Sequence, residues 1–492
     1  MSARGGMVAA GHPVTAAAGA QVLRAGGNAV DAAVGAMLMS FVAEPLLTGL
    51  GAGGYLLVEG FDDAPTLLDF FVAAPGTSRA RGAPRAVPLP IEVDFGDARQ
   101  TFHVGPASVG TWGMVAGIDH ALKRWGSVPL GALVRRPVAL AREGVTLNPS
   151  QGYVSALLDA ILTSTPEAAA IFAPAGRVLG PGDRFRWPDL ADALERLGTD
   201  GAEPFTTGEI ACRVQDWLAE RGGMLTREDL ASYTAIERPP LRVAYHGREA
   251  LLNPPPNAGG ILIGHALALL QRGSDVGPER LVAVMEEVQS GRTPAFVAGL
   301  DEPGFHERYF ASRLGSTTHI SVVDGEGRAA AVTCTNGEGS GVVVPGTGMH
   351  PNNIMGEEDL NPLGFHAFAA GRRMPSMMAP TVVVGEHGVE LVLGSAGSNR
   401  IRSAIVQTIV GVVDLGLAAG GAVDAPRLHV EHDTVFAEPG IAVDGLRAQG
   451  RAVQVFRSRN LFFGGVGAVK RSADGALTGA GDRRRGGAAV AA

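Results

Sequence analysis

The spacing of hydrophobic residues divides the chain into a helix-rich first part and a strand-rich second part. Alanine-rich apolar stretches flank Ala25-Gly26-Gly27 within residues 13–43. This pattern predicts two helices, with Asn28 as the N-terminal cap of the second. The same spacing rules predict a glycine turn at Gly49–Gly54, a strand at Tyr55–Val58, a polar connection over 75–110, mostly helical chain over 115–235 and a helix at Ile261–Leu270.

From Thr317 onward the pattern changes to short β-rich segments separated by glycine turns, which predicts an antiparallel sheet. The change falls near residue 316 without a polar linker, so it does not resemble an ordinary domain boundary. The predicted strands are Ile320–Val323, Ala329–Thr333, Thr381–Val384 and Val389–Leu393, and a helical pattern returns over Ser403–Ala418.

Composition places the chain among globular proteins and narrows its partners. Of its 492 residues 46% are hydrophobic and 18% are charged, and the formal net charge is −8. This charge argues against nucleic acid as a partner, because phosphate binding needs clustered Lys and Arg. The one dense basic run, Arg483-Arg484-Arg485, is typical of a solvated terminus.

Cysteine content and apolar stretches bear on the compartment. Cys212 and Cys334 are the only cysteines, which favours a reducing compartment and no cysteine-based metal site. The apolar stretch Ala32–Ala43 is shorter than the roughly 20 residues that span a bilayer. No signal-peptide pattern is visible at the N-terminus. We therefore predict a cytoplasmic protein, or a periplasmic or secreted one if a leader has been removed, without membrane, metal or cofactor partners.

The junction segment Gly-Ser-Thr-Thr-His-Ile-Ser-Val-Val-Asp (315–324) places a threonine at the mouth of a predicted strand. A threonine hydroxyl is a poor nucleophile unless a base lies beside it. Cleavage of the chain just before the threonine supplies one, because the freed α-amine then acts as that base. The segment alone also fits an ordinary strand entry, so the rest of the sequence decides between the two.

A collinear series of short motifs accompanies this segment. The series resembles the γ-glutamyltransferase (γ-glutamyl transpeptidase) family from about residue 7 to about residue 483. Each motif alone is weak, but their ordered succession is specific. The motifs are Gly26–Ala33, Glu44-Pro45, Gly49–Gly54, Pro254–Gly260, Thr317–Asp324, Gly339–Gly341, Asn352-Asn353, Ser376–Thr381 and Gly394–Arg400.

The resemblance implies an α+β fold, the four-layer αββα sandwich of N-terminal-nucleophile hydrolases, built as one interwoven domain. It implies self-cleavage between Ser316 and Thr317 into a large subunit (1–316) and a small subunit (317–492) that remain paired as a heterodimer, itself able to dimerise. Thr317 would attack the substrate amide, and Thr335 would hydrogen-bond this nucleophile. The backbone N–H groups of Gly397 and Ser398 would stabilise the oxyanion.

The substrate pocket implied by the resemblance departs from the family pattern. Its glutamyl contacts would come from Asn336, Ser376, Glu357 and Glu358, the last two in an acidic segment, Gly356–Asp359, whose register is open. The family's arginine is replaced by Phe71, the residue after Asn-Asn by Ile354, and one of a serine pair by Pro375. An arginine is the cation best suited to a carboxylate. The candidate replacements are Arg79, Arg372, Arg373 and Arg400.

The expected function is hydrolysis or transfer of a small acyl-amide, with γ-glutamyl amides such as glutathione as the first candidate. Two alternatives stay open: another small acyl-amide as substrate, or an uncleaved family member that only binds a small molecule. A nicotinamide- or flavin-dependent enzyme is disfavoured. Gly49–Gly54 satisfies G-x-G-x-x-G, but the predicted order is helix, glycines, strand, which is opposite to a dinucleotide site.

Three histidines near these motifs have non-catalytic interpretations. His319 lies two residues beyond Thr317, and we predict a packing or hydrogen-bonding role, because a free amine makes a histidine base unnecessary. His429 and His432 have the H-x-x-H spacing, which binds a metal when it lies on a helix face. A strand is predicted there instead, so both are predicted to be surface polar residues.

Overall fold

The computed structural model describes residues 5–80, 87–94, 99–290, 317–358, 360–361 and 364–492. Ser316 and Asp359 lie outside these ranges. The strands are β1 (Gly6–Ala10), β2 (Gly53–Glu59), β3 (Thr66–Phe70), β4 (Leu89–Asp94), β5 (Arg99–Val104), β6 (Val145–Thr146), β7 (Arg184–Phe185), β8 (Ile236–Arg238), β9 (Leu241–Tyr245), β10 (Arg248–Leu252), β11 (Thr318–Asp324), β12 (Ala329–Thr335), β13 (Thr381–Gly385), β14 (Gly388–Ala396), β15 (Leu428–Glu431), β16 (Thr434–Ala437), β17 (Ala452–Val455), β18 (Gly465–Arg471), β19 (Leu477–Gly481) and β20 (Ala488–Ala491).

Along the chain, most of the helices precede β11, and the last three follow β14. They are α1 (Pro13–Arg24), α2 (Ala29–Ala43), α3 (Met114–Trp125), α4 (Leu130–Leu133), α5 (Arg135–Glu143), α6 (Pro149–Leu157), α7 (Asp159–Leu162), α8 (Pro166–Phe172), α9 (Pro188–Asp200), α10 (Glu203–Thr206), α11 (Glu209–Glu220), α12 (Arg227–Ala231), α13 (Ala258–Leu270), α14 (Pro278–Ser290), α15 (Arg400–Val413), α16 (Ala419–Asp424) and α17 (Asp444–Ala448). In the described part of the chain, no helix is both long and apolar enough to cross a bilayer.

Two antiparallel sheets stack face to face at the centre of the molecule. One contains seven strands in the order β20-β1-β11-β12-β2-β3-β8, and the other contains six in the order β19-β18-β14-β13-β10-β9. Successive strand residues point to opposite faces. In the seven-stranded sheet Ile320 and Val332 pack with the helices, whereas Val323 and Ala331 pack with the second sheet. With α1 and α2 outside one sheet and α13 and α15 outside the other, the predicted αββα sandwich is confirmed.

The seven-stranded sheet interleaves the two parts of the chain. Its strands β1, β2, β3 and β8 precede residue 316, and β11, β12 and β20 follow it. The strand β11 lies between β1 and β12, with Val8 opposite Val322 and Ile320 opposite Val332. Neither the part before residue 316 nor the part after it contains all strands of the seven-stranded sheet, so the two parts share one sheet and one core.

The alanine-rich α1–α2 pair is present as predicted. Asn28 caps α2 by accepting hydrogen bonds from the N–H groups of Val30 and Asp31, and Asp31 accepts one in return from the Asn28 N–H at 2.9 Å. Every residue of α2 is buried, which explains its uninterrupted apolar sequence. The helix ends at Ala43, and Glu44 then reaches the start of β11.

Two elements differ from the sequence predictions. The helix predicted over Ser403–Ala418 ends at Val413, because the chain turns at Gly416 (φ 66°) and the Leu417 N–H bonds back to the Gly411 carbonyl. The connection predicted over 75–110 contains the β4–β5 hairpin. Pro90 and the polar residues of β4 and β5 concealed its strand pattern.

Candidate active site

A row of residues across four neighbouring strands forms the centre of the candidate site. Thr335 lies opposite Gly53, and Thr318 lies opposite Cys334. Extending the antiparallel ladder by one residue brings Thr317 opposite Thr335, and Gly53 opposite Phe71. The sequence-predicted nucleophile, its predicted partner and the residue that replaces the family's arginine are therefore aligned along one edge.

Thr317 is fully buried, and its hydroxyl has no hydrogen-bond partner among the described residues. In this structure the Thr317 hydroxyl is not bonded by Thr335, and the hydrogen bond that the resemblance implies for the cleaved enzyme stays a prediction. Thr335 Oγ1 instead accepts from the Gly337 N–H at 2.8 Å, which stabilises the turn after β12. The two threonines are neighbours through strand register rather than through a direct side-chain bond.

Glu44 positions the residue that follows the nucleophile. Its two carboxylate oxygens accept hydrogen bonds from Thr318 Oγ1 at 2.8 Å and from Thr15 Oγ1 at 2.7 Å. Burial raises the pKa of this carboxyl group, although both hydroxyl donors oppose the shift. The contact ties the ends of α1 and α2 to the start of β11. Glu44-Pro45 is one of the collinear motifs, but nothing in its local pattern predicts this role for Glu44.

His319 is buried between the two sheets, and its predicted hydrogen-bonding role is confirmed. Its ring nitrogens lie 2.7 Å from Thr333 Oγ1 and 2.8 Å from Ser321 Oγ. Burial lowers the pKa of His319 to about 3, so the ring stays neutral. Because both nitrogens are occupied by fixed partners, the ring is a structural link rather than a proton acceptor for Thr317.

The predicted oxyanion residues form a strained turn between β14 and α15. Gly397 has φ 120° and Ser398 has φ 63°, a left-handed conformation that is uncommon for a residue with a side chain. Among the described residues, neither backbone N–H has a hydrogen-bond acceptor. A Cβ at position 397 would lie 2.6 Å from the Gly464 Cα, so only glycine fits there.

The glycine turn at 49–54 is a close-packing device, as predicted. It follows a helix and leads into β2, the order opposite to that of a dinucleotide-binding turn. A Cβ at Gly51 would lie 2.8 Å from the Pro351 Cα, and one at Gly53 would lie 2.7 Å from the Val72 N. The missing side chains let the strand beside Thr335 approach the segments that carry Phe71 and Asn352.

The polar residues predicted to bind substrate differ in burial: three are buried and one is exposed. Asn336 is buried, with its Nδ2 bonded to the His350 carbonyl and its Oδ1 without a partner among the described residues. Glu357 is also buried, beside Gly337. Glu358 is 67% exposed and lies 3.7 Å from His103, so its side chain lies largely in solvent, and its contact with substrate stays a prediction. Ser376 Oγ accepts from the Met378 N–H, a local turn contact.

Phe71 and Ile354 are core residues at the positions where the family pattern is polar. Both are fully buried, and the Phe71 ring stacks on Tyr55 at 5.5 Å. Of the predicted replacement cations, Arg373 pairs with Asp69 at 3.4 Å, Arg372 stacks on Phe368 and Arg400 stacks on Phe462. Arg79 packs on Gly76.

A small cavity of about 50 Å³ lies near the site. Its lining includes Glu44, which bonds Thr318, Leu47, whose carbonyl accepts the Asn336 N–H, and Arg485, which packs against Gly397. The cavity is thus one residue removed from the start of β11, from the turn after β12 and from the Gly397–Ser398 turn. The remaining wall is largely apolar, with Leu46, Leu147, Val154, Phe172, Leu179 and Phe185.

Two predictions of solvent exposure are wrong. Arg484 is buried between Glu438 and Asp482, with Nε 2.8 Å from Glu438 Oε1, and Arg485 is partly buried; only Arg483 extends into solvent. His429 is fully buried and bonds Ser403 Oγ at 2.8 Å. Within the described ranges, no three His, Cys, Asp or Glu side chains gather as a metal site.

Comparison with known proteins supports the resemblance. A family model described as gamma-glutamyltranspeptidase matches residues 15–293 and 288–492. The acylase ACY 1 proenzyme of Pseudomonas sp. (strain V22) is 32% identical over 99% of this chain and 93% of its own length. The glutathione hydrolase proenzyme of Escherichia coli (strain K12) is 30% identical over 98% of this chain and 91% of its own length.

Solved structures agree with the fold. The cephalosporin acylase from Bacillus halodurans superposes with a TM-score of 0.84 at 25% identity, over 99% of this chain and 95% of that one. The relatives with proenzyme names confirm the prediction of an autoprocessing acyl-transfer hydrolase. This chain belongs to the gamma-glutamyltranspeptidase family, whose members include both glutathione hydrolases and acylases.

Proposed function

We propose that this protein is an amide acylase that matures by cleavage before Thr317 and does not require a glutamyl group. The freed α-amine takes the proton of Thr317 Oγ1 as this oxygen attacks the substrate carbonyl. The N–H groups of Gly397 and Ser398 donate to the oxyanion. The proton then passes to the departing amine, leaving an ester on Thr317. Water hydrolyses that ester, with the same amine accepting and returning a proton.

The observation that carries this proposal is the place of Phe71 in the site. It ends the row that begins at Thr317, where the family pattern has an arginine, and its ring is stacked on Tyr55 within the core. An apolar ring there offers nothing to the carboxylate of a glutamyl group. Ile354 is likewise buried where a polar residue is expected. The acylases among the relatives of this chain support the same conclusion.

A γ-glutamyl hydrolase or transferase is the second candidate. Glu357 is buried beside Gly337, and the Asn336 Oδ1 next to Thr335 is an unused acceptor among the described residues. Both could receive hydrogen bonds from a glutamyl α-amine. γ-Glutamyl activity requires the α-amine of the substrate, whereas the proposed acylase activity does not.

Maturation is tested on a denaturing gel. Wild-type protein should give two fragments that separate after Ser316, and Thr317→Ala should give one full-length band. Thr318→Ser, which keeps the hydroxyl that bonds Glu44, is the matched control and should be cleaved. A full-length band from active wild-type protein would sink the nucleophile assignment.

Substrate class is tested with two 4-nitroanilides that differ only in the α-amine. For an acylase, kcat/KM for the glutaryl compound should lie within roughly tenfold of that for the γ-glutamyl compound. A preference for the γ-glutamyl compound of more than about 100-fold, lost in Glu357→Gln, would establish the second candidate instead. Both compounds release the same amine, so leaving-group reactivity is constant.

A further inference from the structure

The predicted oxyanion turn, Gly397–Ser398, needs support from its surroundings, because Ser398 has a left-handed backbone with φ 63°. A residue with a side chain keeps this conformation only where the contacts around it impose it. The Gly397 and Ser398 carbonyls accept hydrogen bonds of 3.1 Å from the N–H groups of the first two residues of α15. These bonds fix the carbonyls of the turn to the helix, so the position of the turn depends on how the start of α15 is held.

Asn399 follows the turn and makes an unusual contact for a residue at the start of a helix. An asparagine at this position usually accepts hydrogen bonds from N–H groups of the first helical turn. Asn399 makes no such bond, and its Nδ2 donates instead to Glu431 Oε1 at 2.8 Å. The residue is 1% exposed, and its Oδ1 has no hydrogen-bond partner among the described residues. Within the described chain, the bond to Glu431 is therefore the one that orients this amide.

This bond is the first of three polar links between the face of α15 and strand β15. Asn399, Ser403 and Gln407 are spaced by four residues and therefore lie on one side of the helix. Ser403 Oγ lies 2.8 Å from His429 Nδ1, and the Gln407 amide exchanges two hydrogen bonds of 2.9 Å with the backbone of the first residue of β15. Four helical residues rise about 6 Å and two strand residues about 6.7 Å, so His429 and Glu431 match the helical spacing.

The first link differs from the other two because it adjoins the oxyanion turn. Glu431 is the last residue of β15 and is paired with Thr434 across the turn to β16, so its backbone is fixed. A carboxylate is a stronger hydrogen-bond acceptor than a neutral group, and a negative charge is favourable at the N-terminal end of a helix. Glu431 therefore holds Asn399, and through it the direction in which the chain leaves Ser398.

We propose that Glu431 is a positioning residue for the oxyanion turn and acts through the side chain of Asn399. The inference rests on the proposed chemistry of Thr317 and is independent of which acyl group is transferred. With the link in place, the N–H groups of Gly397 and Ser398 stay directed at the substrate oxygen. Without it, Ser398 would relax from its left-handed conformation and the two donors would lose their alignment. Formation and hydrolysis of the ester both pass through an oxyanion, so both steps would become slower.

The test measures kcat and KM on glutaryl- or γ-glutamyl-4-nitroanilide, whichever the wild-type protein hydrolyses faster. Glu431→Met removes the acceptor at nearly constant length, and it should lower kcat by roughly 10- to 100-fold and leave KM within about twofold. Glu431→Gln keeps an acceptor oxygen and should retain kcat within about threefold. Asn399→Leu breaks the same link from the helix side. The double variant Glu431→Met/Asn399→Leu should lose no more activity than the worse single variant.

Ser403→Ala is the matched control, because it breaks the next link of the row, one helical turn farther from the oxyanion turn. It should lower the melting temperature and leave kcat within about twofold. The inference is overturned by wild-type kcat in Glu431→Met or Asn399→Leu, by an equal loss of kcat in Ser403→Ala, or by multiplicative losses in the double variant. If wild-type protein hydrolyses neither anilide, the proposed chemistry of Thr317 is overturned together with this inference, whereas the other outcomes overturn the inference alone.

Discussion

The two sides of the candidate site differ in how their residues are held. On one side, Thr317, Thr335, Gly53 and Phe71 follow from the register of four adjacent strands. On the other side, Arg485 reaches Gly397 from the last turn before β20, through packing of segments far apart in the chain. The comparison separates residues that sheet register brings together from residues that only tertiary packing brings to the same place.

The largest effect is expected at the nucleophile. Thr317→Ala should abolish cleavage and lower amide hydrolysis by at least about 10³-fold, because no other described hydroxyl occupies the end of this row. Activity is measured by nitroaniline release and cleavage by gel. Thr317→Ser keeps an attacking hydroxyl and should retain measurable activity. Activity of Thr317→Ala near the wild-type level would move the chemistry away from the strand row.

Restoring the arginine of the family pattern tests whether Phe71 still borders a glutamyl pocket. Phe71→Arg should cost about 3–5 kcal/mol of unfolding free energy, because it places a charge in the core and removes the stacking on Tyr55. Phe71→Leu, a volume-reducing apolar control, should cost less. Denaturant unfolding measures both. An Arg variant with wild-type stability and increased γ-glutamyl turnover would show that the pocket remains at Phe71.

The C-terminal arginine run offers a matched pair of substitutions. Arg484→Gln should cost about 3 kcal/mol, because it leaves Glu438 and Asp482 buried with less cationic compensation. Arg483→Gln should change stability by no more than about 0.5 kcal/mol, because that side chain extends into solvent. If thermal unfolding showed equal losses of stability in the two variants, Arg484 would not be a structural residue distinct from the solvated Arg483.

The smallest effect is expected from the ionisation of Glu44. Because burial raises its pKa in the folded protein, Glu44 contributes stability that is fully present below its unfolded pKa and is lost as pH rises through the folded value. The Glu44→Gln variant lacks this ionisation. The melting temperature of wild-type protein relative to Glu44→Gln should therefore fall as pH rises above the ordinary glutamate pKa of 4.5. A constant difference would show that Glu44 has no shifted pKa.

Local patterns predicted most of the helices and strands, whereas the assignment of Thr317 as nucleophile needed the ordered series of motifs along the whole chain. Asn28 and the alanine-rich helices follow from capping and helical spacing, and β11 and β12 follow from β-rich segments between glycine turns. Glu358 and the Thr335 hydrogen bond could not be predicted in the same way. Glu358 lies in an irregular loop, where a shift of one residue decides which side chain faces solvent. The Thr335 hydroxyl accepts a hydrogen bond within the turn after β12.

The helix-to-strand change, the place of Thr317 at the start of a strand and the Gly397–Ser398 pair can all be recognised in the amino-acid sequence. These features depend on residues close together in the chain or on motifs in fixed order. The burial of Arg484 as an ion-pair partner and the position of Arg485 at the cavity became visible only in the folded chain. The physical reason is that the environment of a charge is set by groups from distant segments, here Glu438, Asp482 and Gly397.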